Sequence, residues 1–545
     1  MKKLIFIFTL SLGVLTFYSC DIDRTPFDSI TSEDLANSET SAFNVTLGTY
    51  SRMRAWTENW HRLFEYPGDN VALSGTTSDP LFFSYNFNRI PNSSRTAGFW
   101  RSSYQIVVAT NQVIGNVPEG SSPSNNQILA ENYYIRALMH FSLVNIFGKP
   151  YNQGVNNPGV PLKLDAEPLN HPIRSSVGDV YDQVEADLLK AVSLFSENKT
   201  NVYASKEAAW ALLSRLYLYK VDNQKAAEYA DLVINSGRFS LLQTNRLADY
   251  PKLAPESNSE TIFAVKFVKD VDYESNGWFT IGSLYANVQG AGWGEMYASR
   301  PYLELVREFP EDQRNKFIQP VVVDQNVTWG LFVRNNLTYG WTELTPQGED
   351  FVYTHGGTTK LVEKEFNERG GISYHIDTDE GKKQILIDKR LDLRNNFPKY
   401  FILKCSGQED QAHLWSPVVS RLAEMYLNKA EALAKQGQNA EALELVNVIR
   451  TRAGIPQTGL YNLGNLGGKT VLDVVLEERQ LELSWEGHRK MDVFRNGRMM
   501  DRRYPGTHLA GNNPRQTILA NENAIIEFIP EDQLLVHEGL TQNPG

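Results

Sequence analysis

The chain has 545 residues, a formal net charge of −11 and a pI near 5.5. Because an acidic chain without a basic stripe cannot neutralise phosphates, the sequence predicts no nucleic-acid partner. Aromatic residues make up 11% of the chain and charged residues 21%, which is typical of a folded protein rather than a disordered one. At this length the chain can form two or three domains of average size, or one large domain with an elaborated surface.

The first twenty residues differ from the rest of the chain. A short basic start over residues 1–3 precedes an apolar run over residues 4–17. This run has the length of a signal peptide and is too short to span a bilayer, which needs about 20 apolar residues. The sequence therefore predicts that residues 1–19 are a signal peptide.

Cys20 follows that run with a small residue before it, and resembles the lipobox cysteine of bacterial lipoproteins. We predict that Cys20 is lipidated and that residues 20–37 form a lipidated tether; the alternative is an ordinary secretory signal with an incidental cysteine. Asp21 and Asp23 resemble the export signal that sends Bacteroidetes lipoproteins to the cell surface. With Cys20 lipidated, Cys405 has no disulfide partner and is predicted to be a buried thiol.

The strongest helical signal is the stretch from Leu422 to Gly454. Its apolar residues recur at helical spacing in two runs, which residues 436–439 interrupt. This pattern predicts a helical hairpin, and such a hairpin cannot bury its own apolar face. Three similar helix pairs are predicted over residues 39–116, 128–195 and 205–235. Their degenerate self-similarity indicates repeats of the tetratricopeptide kind, whose unit is about 34 residues.

These helix pairs divide the chain into segments. We predict a helical repeat scaffold over residues 38–239, with an irregular loop at 59–97, and a C-terminal scaffold over residues 416–545. Residues 240–415 contain short β-like runs, such as residues 261–267, separated by Gly, Asn and Asp turns. This segment is predicted to be a large loop-rich insertion in the helical scaffold.

Several motifs occur in the right order along the chain for one known family. They are the helix that ends at Phe147-Gly148-Lys149-Pro150, the helix starts at residues 174–177 and 204–209, the stretches 421–454 and 477–492, and the chain end Gln542-Asn543-Pro544-Gly545. On these motifs, the chain resembles the SusD/RagB family of outer-membrane lipoproteins. The resemblance implies a mostly α, SusD-like fold with four tetratricopeptide-like helix pairs as the scaffold.

The resemblance also implies a role. Members of the family are surface lipoproteins that capture a nutrient, usually a glycan, and act as a lid over a SusC-like TonB-dependent outer-membrane transporter. Peptide capture by a RagB-like protein is a variant of the same role. The implied partners are a transporter, an oligosaccharide or polysaccharide, and the membrane through the lipid at Cys20, and no cofactor is expected.

A glycan site needs exposed aromatic platforms for the flat faces of sugars, and polar side chains for their hydroxyls. Two loop-rich stretches supply both, and a further tryptophan lies in the insertion. The predicted ligand-binding residues are Asp69, Asn70, Phe82, Phe83 and Tyr85 in the first stretch, Trp278, Trp293 and Tyr297 in the second, and Trp341. For each of these residues the alternative is packing in the core of a small subdomain.

An enzymatic interpretation competes with this one. Glu477, Glu478 and Glu482 lie on one predicted helix, but glycoside hydrolysis needs two carboxyl groups that face each other across a cleft. We therefore predict that these carboxylates are structural and meet solvent or nearby cations, and that His488 is a feature of the fold. The charged residues of the hairpin at 422–454 are likewise expected to face solvent or a partner. A surface glycosidase remains the less favoured alternative.

Overall fold

The structure is a computed structural model of the full chain. It describes residues 31–545 except residues 76–77, 273–276, 279 and 511–513. Cys20, the signal peptide and most of the tether therefore lie outside the described residues.

Long helices form most of the scaffold. Within the described part of the chain, nine helices have 12 to 27 residues: α1 Glu39–Glu65, α2 Ser94–Asn116, α3 Pro123–Phe147, α4 Val177–Leu194, α5 Lys206–Lys220, α6 Asn223–Ile234, α7 Leu422–Lys435, α8 Asn439–Arg452 and α9 Val471–Glu482. Shorter helices span Ser32–Asn37, Leu81–Tyr85, Lys269–Asp272, Gly282–Tyr285, Arg300–Val306, Arg489–Arg495 and Glu531–Val536.

The helix ends follow local sequence signals. The predicted capping box before α4 is present, because Ser176 and Asp179 each accept a hydrogen bond from the other's backbone N–H. A second capping box joins Thr31 to Asp34 at the start of the Ser32–Asn37 helix. Gly437 adopts a φ of 79° between α7 and α8, which is the left-handed conformation that ends a helix.

The long helices pack in pairs, α1 with α2, α3 with α4, α5 with α6, and α7 with α8. Each pair also contacts the next, through α2 and α3, α4 and α5, and α6 and α7. The contact between α6 and α7 forms although almost two hundred residues separate these helices in sequence. The hairpin at 422–454 therefore stacks on the pair at 205–235, one of the three similar pairs predicted from the sequence. The predicted mostly α fold with a large insertion is confirmed.

Short strands connect the insertion to the scaffold. A four-stranded antiparallel sheet has the order Val71–Leu73, Met296–Ala298, Tyr400–Ile402 and Ile318–Pro320. Two-stranded pairings join Pro158–Pro161 to Arg174–Ser176, Thr261–Ala264 to Val418–Arg421, Leu393–Arg394 to Phe397–Pro398, and Met500–Asp501 to Thr517–Ile518. Cys405 lies just after the four-stranded sheet and is fully buried, as predicted.

The insertion also holds a larger sheet of seven antiparallel strands. In spatial order they are Thr358–Leu361, Asp350–His355, Tyr339–Gln347, Val322–Val333, Gly381–Leu391, Ile372–Thr378 and Glu363–Phe366. The two outer strands are separated in sequence only by Val362, whose N–H donates to the Phe351 carbonyl (2.8 Å). Residues 358–366 are thus one bent strand with a neighbour on each side, and the sheet closes into a six-stranded barrel.

The barrel has an apolar interior of its own. Its buried side chains come from all six strands and are Phe332, Leu344, Tyr353, Val362, Ile376 and Ile385. Two of its strands have 12 and 11 residues, longer than the short runs expected from the sequence. Turns interrupt the sequence at short intervals, and charged residues cover the outer face of the barrel. The alternation of apolar and polar residues along these strands is therefore weak in the sequence. We call this unit the insertion barrel.

Buried ion pairs join the C-terminal helices. The Glu482 carboxylate lies 2.6 Å from the Arg421 guanidinium and 2.5 Å from that of Arg452, and all three side chains are buried. Arg314 reaches both Glu478 (2.6 Å) and Glu482 (3.4 Å). We call this group the Glu482 network.

The Glu482 network corrects two expectations. Glu478 and Glu482 do not face solvent, and their cations are not the neighbouring residues in sequence but Arg314, Arg421 and Arg452 from distant segments. Charged residues of the hairpin at 422–454 are also buried, since Glu424 pairs with Arg215 (2.7 Å). The physical reason is that an amphipathic helix can bury a charge where a distant guanidinium compensates it.

The turn after α9 is held by a buried carboxyl group. Gly487 adopts a φ of 79° in this turn, and its N–H donates to the Glu65 carboxyl group at the end of α1 (2.9 Å). Burial raises the pKa of Glu65 to about 7, against the hydrogen bonds that favour its ionised form. The Glu65 carboxyl group therefore takes up a proton well above the pH at which an exposed glutamate does.

Removing the charge at the centre of the Glu482 network should destabilise the fold. Glu482→Gln removes the carboxylate that Arg314, Arg421 and Arg452 share, and the remaining buried carboxylates no longer balance these three charges. We therefore expect the free energy of unfolding to fall by about 3 kcal/mol or more. Urea denaturation followed by circular dichroism measures this loss. The control is Glu363→Gln, whose exposed pair with Lys382 should contribute at most about 1 kcal/mol. Equal losses in both variants would contradict the prediction.

Glu65 should make stability depend on pH. Its folded pKa of about 7 exceeds the ordinary 4.5, so the folded state binds the extra proton between these values. The contribution is fully present below pH 4.5 and is lost as pH rises through 7, a change of about 3 kcal/mol. We therefore expect Glu65→Gln to gain stability relative to the wild type between about pH 5 and about pH 8. A difference between the two proteins that does not vary with pH would rule this out.

Candidate functional site

The structure brings the two predicted aromatic stretches together. The strand Val71–Leu73 pairs antiparallel with Met296–Ala298, with Ala72 opposite Tyr297. Beyond the paired residues, the Ser74 N–H donates to the Glu295 carbonyl (3.1 Å). The loops that flank these strands therefore lie side by side, and they form what we call the aromatic loop site. Residues 276 and 279 of the second stretch lie outside the described residues.

The aromatic loop site contains a pair of tryptophans, Trp278 and Trp293. Their rings meet edge to face, with centroids 5.3 Å apart and an interplanar angle of 85°. The Trp293 ring N–H donates to the Trp278 carbonyl (3.2 Å), which fixes the orientation of its ring. Trp293 is 51% exposed, an unusual degree for so large an apolar side chain. The pair thus presents a rigid aromatic surface to solvent.

The loop that carries Trp293 is held by a close backbone approach. Gly292 has a φ of 99°, and a Cβ there would collide with the Ala286 carbonyl and the His413 ring. The His413 Nε2 lies 2.8 Å from the Ala291 carbonyl, and burial lowers the pKa of His413, which favours the neutral ring. Gly292 therefore allows the backbone to pack closely at this point.

Polar groups lie beside the tryptophans. The Arg394 guanidinium donates to the Trp293 carbonyl (3.4 Å) and to the Glu295 carboxylate (3.3 Å). The next residue, Asn395, donates from its side chain to the Ser74 carbonyl (3.0 Å) and so links both aromatic stretches. The sequence analysis missed these two residues. The sequence signal that could have indicated these residues is the pair Asn395-Asn396. Both asparagines adopt positive φ values and form the turn that directs Arg394 towards the site.

The first stretch contributes a second aromatic pair. Phe82 and Phe83 meet edge to face with centroids 6.3 Å apart, and Phe83 is 38% exposed. The preceding Asp79 pairs with Arg62 (2.7 Å) and Arg95 (2.9 Å), and the hydrogen bond from Arg95 holds the pKa of Asp79 below its ordinary value although burial opposes this. These ion pairs anchor the short helix that presents Phe83.

A small cavity connects the two stretches. It has a volume of about 40 Å³ and is lined from both sides, by residues that include Arg62, Tyr66, Phe82, Leu284 and Glu295. Burial raises the pKa of Tyr66, so its hydroxyl stays protonated. The aromatic loop site is therefore a shallow surface with a narrow crevice rather than a deep pocket.

Other predicted ligand-binding residues are placed in the core. Tyr85 and Tyr297 are 1% and 2% exposed, and the Tyr85 hydroxyl accepts a hydrogen bond from the Leu73 N–H (3.1 Å). Tyr297 lies in a strand of the four-stranded sheet that has a partner on each side, and the Tyr85 ring packs against His508 and Arg502. In this structure neither ring is offered to a ligand, which corrects the expectation of exposed platforms at these two positions.

Asp69 and Asn70 are buried as well. Both oxygens of the Asp69 carboxylate accept hydrogen bonds from Arg489 (2.6 and 2.8 Å), and the Asn70 side-chain oxygen accepts one from Gln480 (3.0 Å). These bonds tie the first stretch to the C-terminal scaffold. Both residues therefore position the strand Val71–Leu73.

Trp341 lies elsewhere, on the insertion barrel. It stacks on Trp329 with ring centroids 5.1 Å apart and an interplanar angle of 16°. Trp341 is 38% exposed, whereas Trp329 is buried. The pair provides a second exposed aromatic surface that belongs to a different element from the aromatic loop site.

Most of the residues that suggested an enzyme are buried in the scaffold, whereas Glu477 is half-buried and pairs with Lys469 (2.6 Å). Glu478 and Glu482 belong to the Glu482 network. Burial raises the pKa of Glu482, but the charges of Arg452, Arg421 and Arg314 outweigh this effect and hold that pKa well below its ordinary value. His488 is buried at the start of the Arg489–Arg495 helix, and burial lowers its pKa. These side chains are structural, as predicted. Among the described residues, no group of three or more His, Cys, Asp or Glu side chains is placed to hold a metal ion.

Comparison with known protein families agrees with the architecture. A model described as "SusD family" matches residues 397–545, and one described as "Starch-binding associating with outer membrane" matches residues 28–218. The chain therefore belongs to the SusD/RagB family, as its motifs predict. The second description agrees with the predicted outer-membrane localisation. Over the described residues, no helix is both long and apolar enough to cross a membrane.

Individual relatives cover most of the chain. It is 26% identical over 525 residues to a SusD-like protein of Formosa agariphila, with 91% of each chain covered. It is 24% identical over 443 residues to the starch-binding protein SusD of Bacteroides thetaiotaomicron, covering 76% of this chain and 72% of that protein.

Solved structures share the fold. A SusD superfamily protein from Bacteroides thetaiotaomicron superimposes with a TM-score of 0.73 at 24% identity, over 95% of this chain and 100% of that chain. A SusD-like carbohydrate binding protein from Bacteroides vulgatus superimposes with a TM-score of 0.64 at 17% identity, over 92% and 97%.

The close approach at Gly292 predicts how the Trp293 loop responds to mutation. Gly292→Ala must move the loop, because its Cβ has no space and its φ of 99° is unfavourable for alanine. We expect the fluorescence of Trp293 to shift to the red as its ring leaves Trp278, and the midpoint of thermal unfolding to fall. Gly290→Ala is the matched control, since its φ is similarly positive at 84° but open space surrounds it. Identical spectra for the two variants would contradict the prediction.

Proposed function

We propose that this protein is a non-catalytic cell-surface lipoprotein that captures an oligosaccharide or polysaccharide and delivers it to a SusC-like TonB-dependent outer-membrane transporter. The observation that carries the proposal is the exposed, rigidly held Trp293 beside Trp278, with Phe83 on the adjoining loop. Sugars stack their C–H faces on such rings, and the nearby Arg394 and Glu295 supply donors and acceptors for hydroxyl groups.

The ligand-binding residues that we propose are fewer than those predicted from the sequence. Trp278, Trp293, Phe82 and Phe83 form the primary site, and Trp341 offers a separate aromatic contact on the insertion barrel. The shallow shape of the aromatic loop site suits a polymer that lies across the surface. A small ligand instead needs a concave pocket that encloses most of it.

The anchoring and delivery steps rest on the family. Cys20 would carry the lipid, and residues 20–37 would tether the body to the outer membrane. The transporter is proposed because family members act as lids over such a partner. The curated starch-binding relative and the carbohydrate-binding structural neighbour support a glycan as the cargo.

Peptide capture is the second candidate function, and it follows from the RagB branch of the family. A surface glycosidase is the least favoured candidate, because the carboxylates that suggested it lie within the Glu482 network. Calorimetric titration with panels of oligosaccharides and peptides separates the first two candidates. Release of reducing ends from a polymer by the purified protein would establish the third.

Removing the aromatic rings should weaken glycan binding without unfolding the protein. We expect Trp293→Ala and Phe83→Ala each to lower affinity for the retained polysaccharide about tenfold, because each exposed ring loses its stacking surface. Affinity gel electrophoresis in soluble starch, laminarin, inulin and xylan measures the retention.

The matched control for Phe83 is Phe43→Ala. Phe43 is also 38% exposed, but it lies on α1 beside Lys199, away from the aromatic loops. Its loss should leave retention unchanged. Normal retention of both site variants would move the binding site away from the aromatic loops.

A further inference from the structure

A large cleft lies apart from the aromatic loop site. It has a volume of about 860 Å³ and lies between the insertion barrel and the C-terminal scaffold. Residues 365–373 of the barrel form one wall, and the Arg300–Val306 helix lies next to them. The opposite wall comes from the C-terminal scaffold and includes Gln480 and Tyr504. We call it the barrel cleft. Its volume falls in the range of ligand-binding pockets, which often form where subdomains meet.

The two walls of the barrel cleft are fixed to each other. Arg369 of the barrel donates to the Glu308 carboxylate (2.7 Å) and to the Asn465 carbonyl (3.2 Å), and its guanidinium lies 4.2 Å from the centre of the Tyr461 ring. The Ile372 N–H donates to the Glu308 carbonyl (2.8 Å). Because these contacts order the walls in advance, a ligand does not have to organise them.

The charges that line the barrel cleft are largely compensated. Ion pairs of 2.6 to 2.7 Å join Asp69 to Arg489, Asp501 to Arg503, Glu308 to Arg369, Glu304 to Arg300, Glu365 to Lys382, and Lys469 to Glu477. A charged ligand would compete with these pairs and lose its own hydration. A neutral ligand with many hydroxyl groups can instead share their free lone pairs and protons.

The barrel cleft also offers the groups that a sugar needs. Phe366 lines the cleft, and its side chain is 65% exposed. Next to it, Asn367 and Ser373 lie on the barrel wall, and Gln384 and Gln480 supply amide groups on both walls. An exposed ring surrounded by amides and hydroxyls matches the C–H face and the hydroxyl rim of a pyranose.

We propose that the barrel cleft is a second saccharide-binding site, which takes a neutral oligosaccharide with Phe366 as its stacking platform. The ligand class rests on the proposed function, whereas the location and the platform rest on the geometry of the cleft. The insertion barrel then contributes one wall of a binding site.

Two variants test the second site. Phe366→Ala removes the platform, and its exposure predicts that the fold is unaffected. Ser373→Trp fills the cleft from the barrel wall. Leu361→Ala is the matched control, because Leu361 is an exposed apolar residue of the same bent strand that does not line the cleft. Thermal unfolding confirms that each variant is folded.

The measurement is retention in gels of soluble starch, laminarin, inulin and xylan, followed by calorimetric titration with the matching maltoheptaose, laminariheptaose, fructan or xylohexaose. We expect a stoichiometry of two for the wild type and of one for Phe366→Ala and Ser373→Trp. Retention of the polymer should weaken about fivefold in both variants and not in Leu361→Ala. Trp293→Ala should also give a stoichiometry of one, through loss of the other site.

The two proposals fail in different ways. If the wild type is retained and neither Phe366→Ala nor Ser373→Trp changes its retention, the proposal of a second site is overturned. The proposal for the aromatic loop site is then unaffected. The second site is likewise overturned if the wild type binds one oligosaccharide per chain and Trp293→Ala abolishes this binding. A wild type that is retained by none of the four polymers contradicts both the proposed glycan function and the second site.

Discussion

The fold depends on compensating buried charge around Glu482. Burying a single carboxylate or guanidinium costs several kcal/mol, so each charge in this region must face an opposite one. The arginines that face Glu482 come from the insertion side of the chain, from the strand before α7 and from the end of α8. Because all of them must converge on α9, this network fixes the C-terminal helices relative to the insertion. Both proposed binding surfaces are built on that frame.

The helices could be predicted from sequence because their signals are local. The capping box at Ser176 and Asp179 spans three residues, and the apolar stripe of α7 repeats within two turns. The ion pairs could not be predicted, since Arg314 and Glu478 lie 164 residues apart, and Arg421 and Glu482 lie 61 apart. Sequence distance, rather than residue type, therefore limited the prediction, and it led to the expectation that these charges face solvent.

In the candidate site, too, features with local sequence signals could be predicted, whereas features that depend on distant residues could not. Trp293 and Phe83 were predicted correctly as exposed rings, because aromatic residues in glycine-rich loops have few neighbours to cover them. Tyr297 has the same chemistry, but it belongs to a strand with a partner on each side, and strand pairing was not visible in the sequence. Asp69 is neutralised by Arg489, 420 residues further along the chain. The barrel escaped prediction because its closure depends on one bent strand at Val362.

One short segment connects the two proposed binding surfaces. Asp69 lines the barrel cleft, and Ser74 lies against Glu295 in the aromatic loop site. Five residues of fully extended chain span at most about 18 Å, so these two contact points cannot be farther apart than that. This distance is within the length of a short oligosaccharide. The strand Val71–Leu73 is held on one side by Met296–Ala298 and at its start by Arg489. The strand Val71–Leu73 therefore fixes how close the two proposed binding surfaces lie to each other.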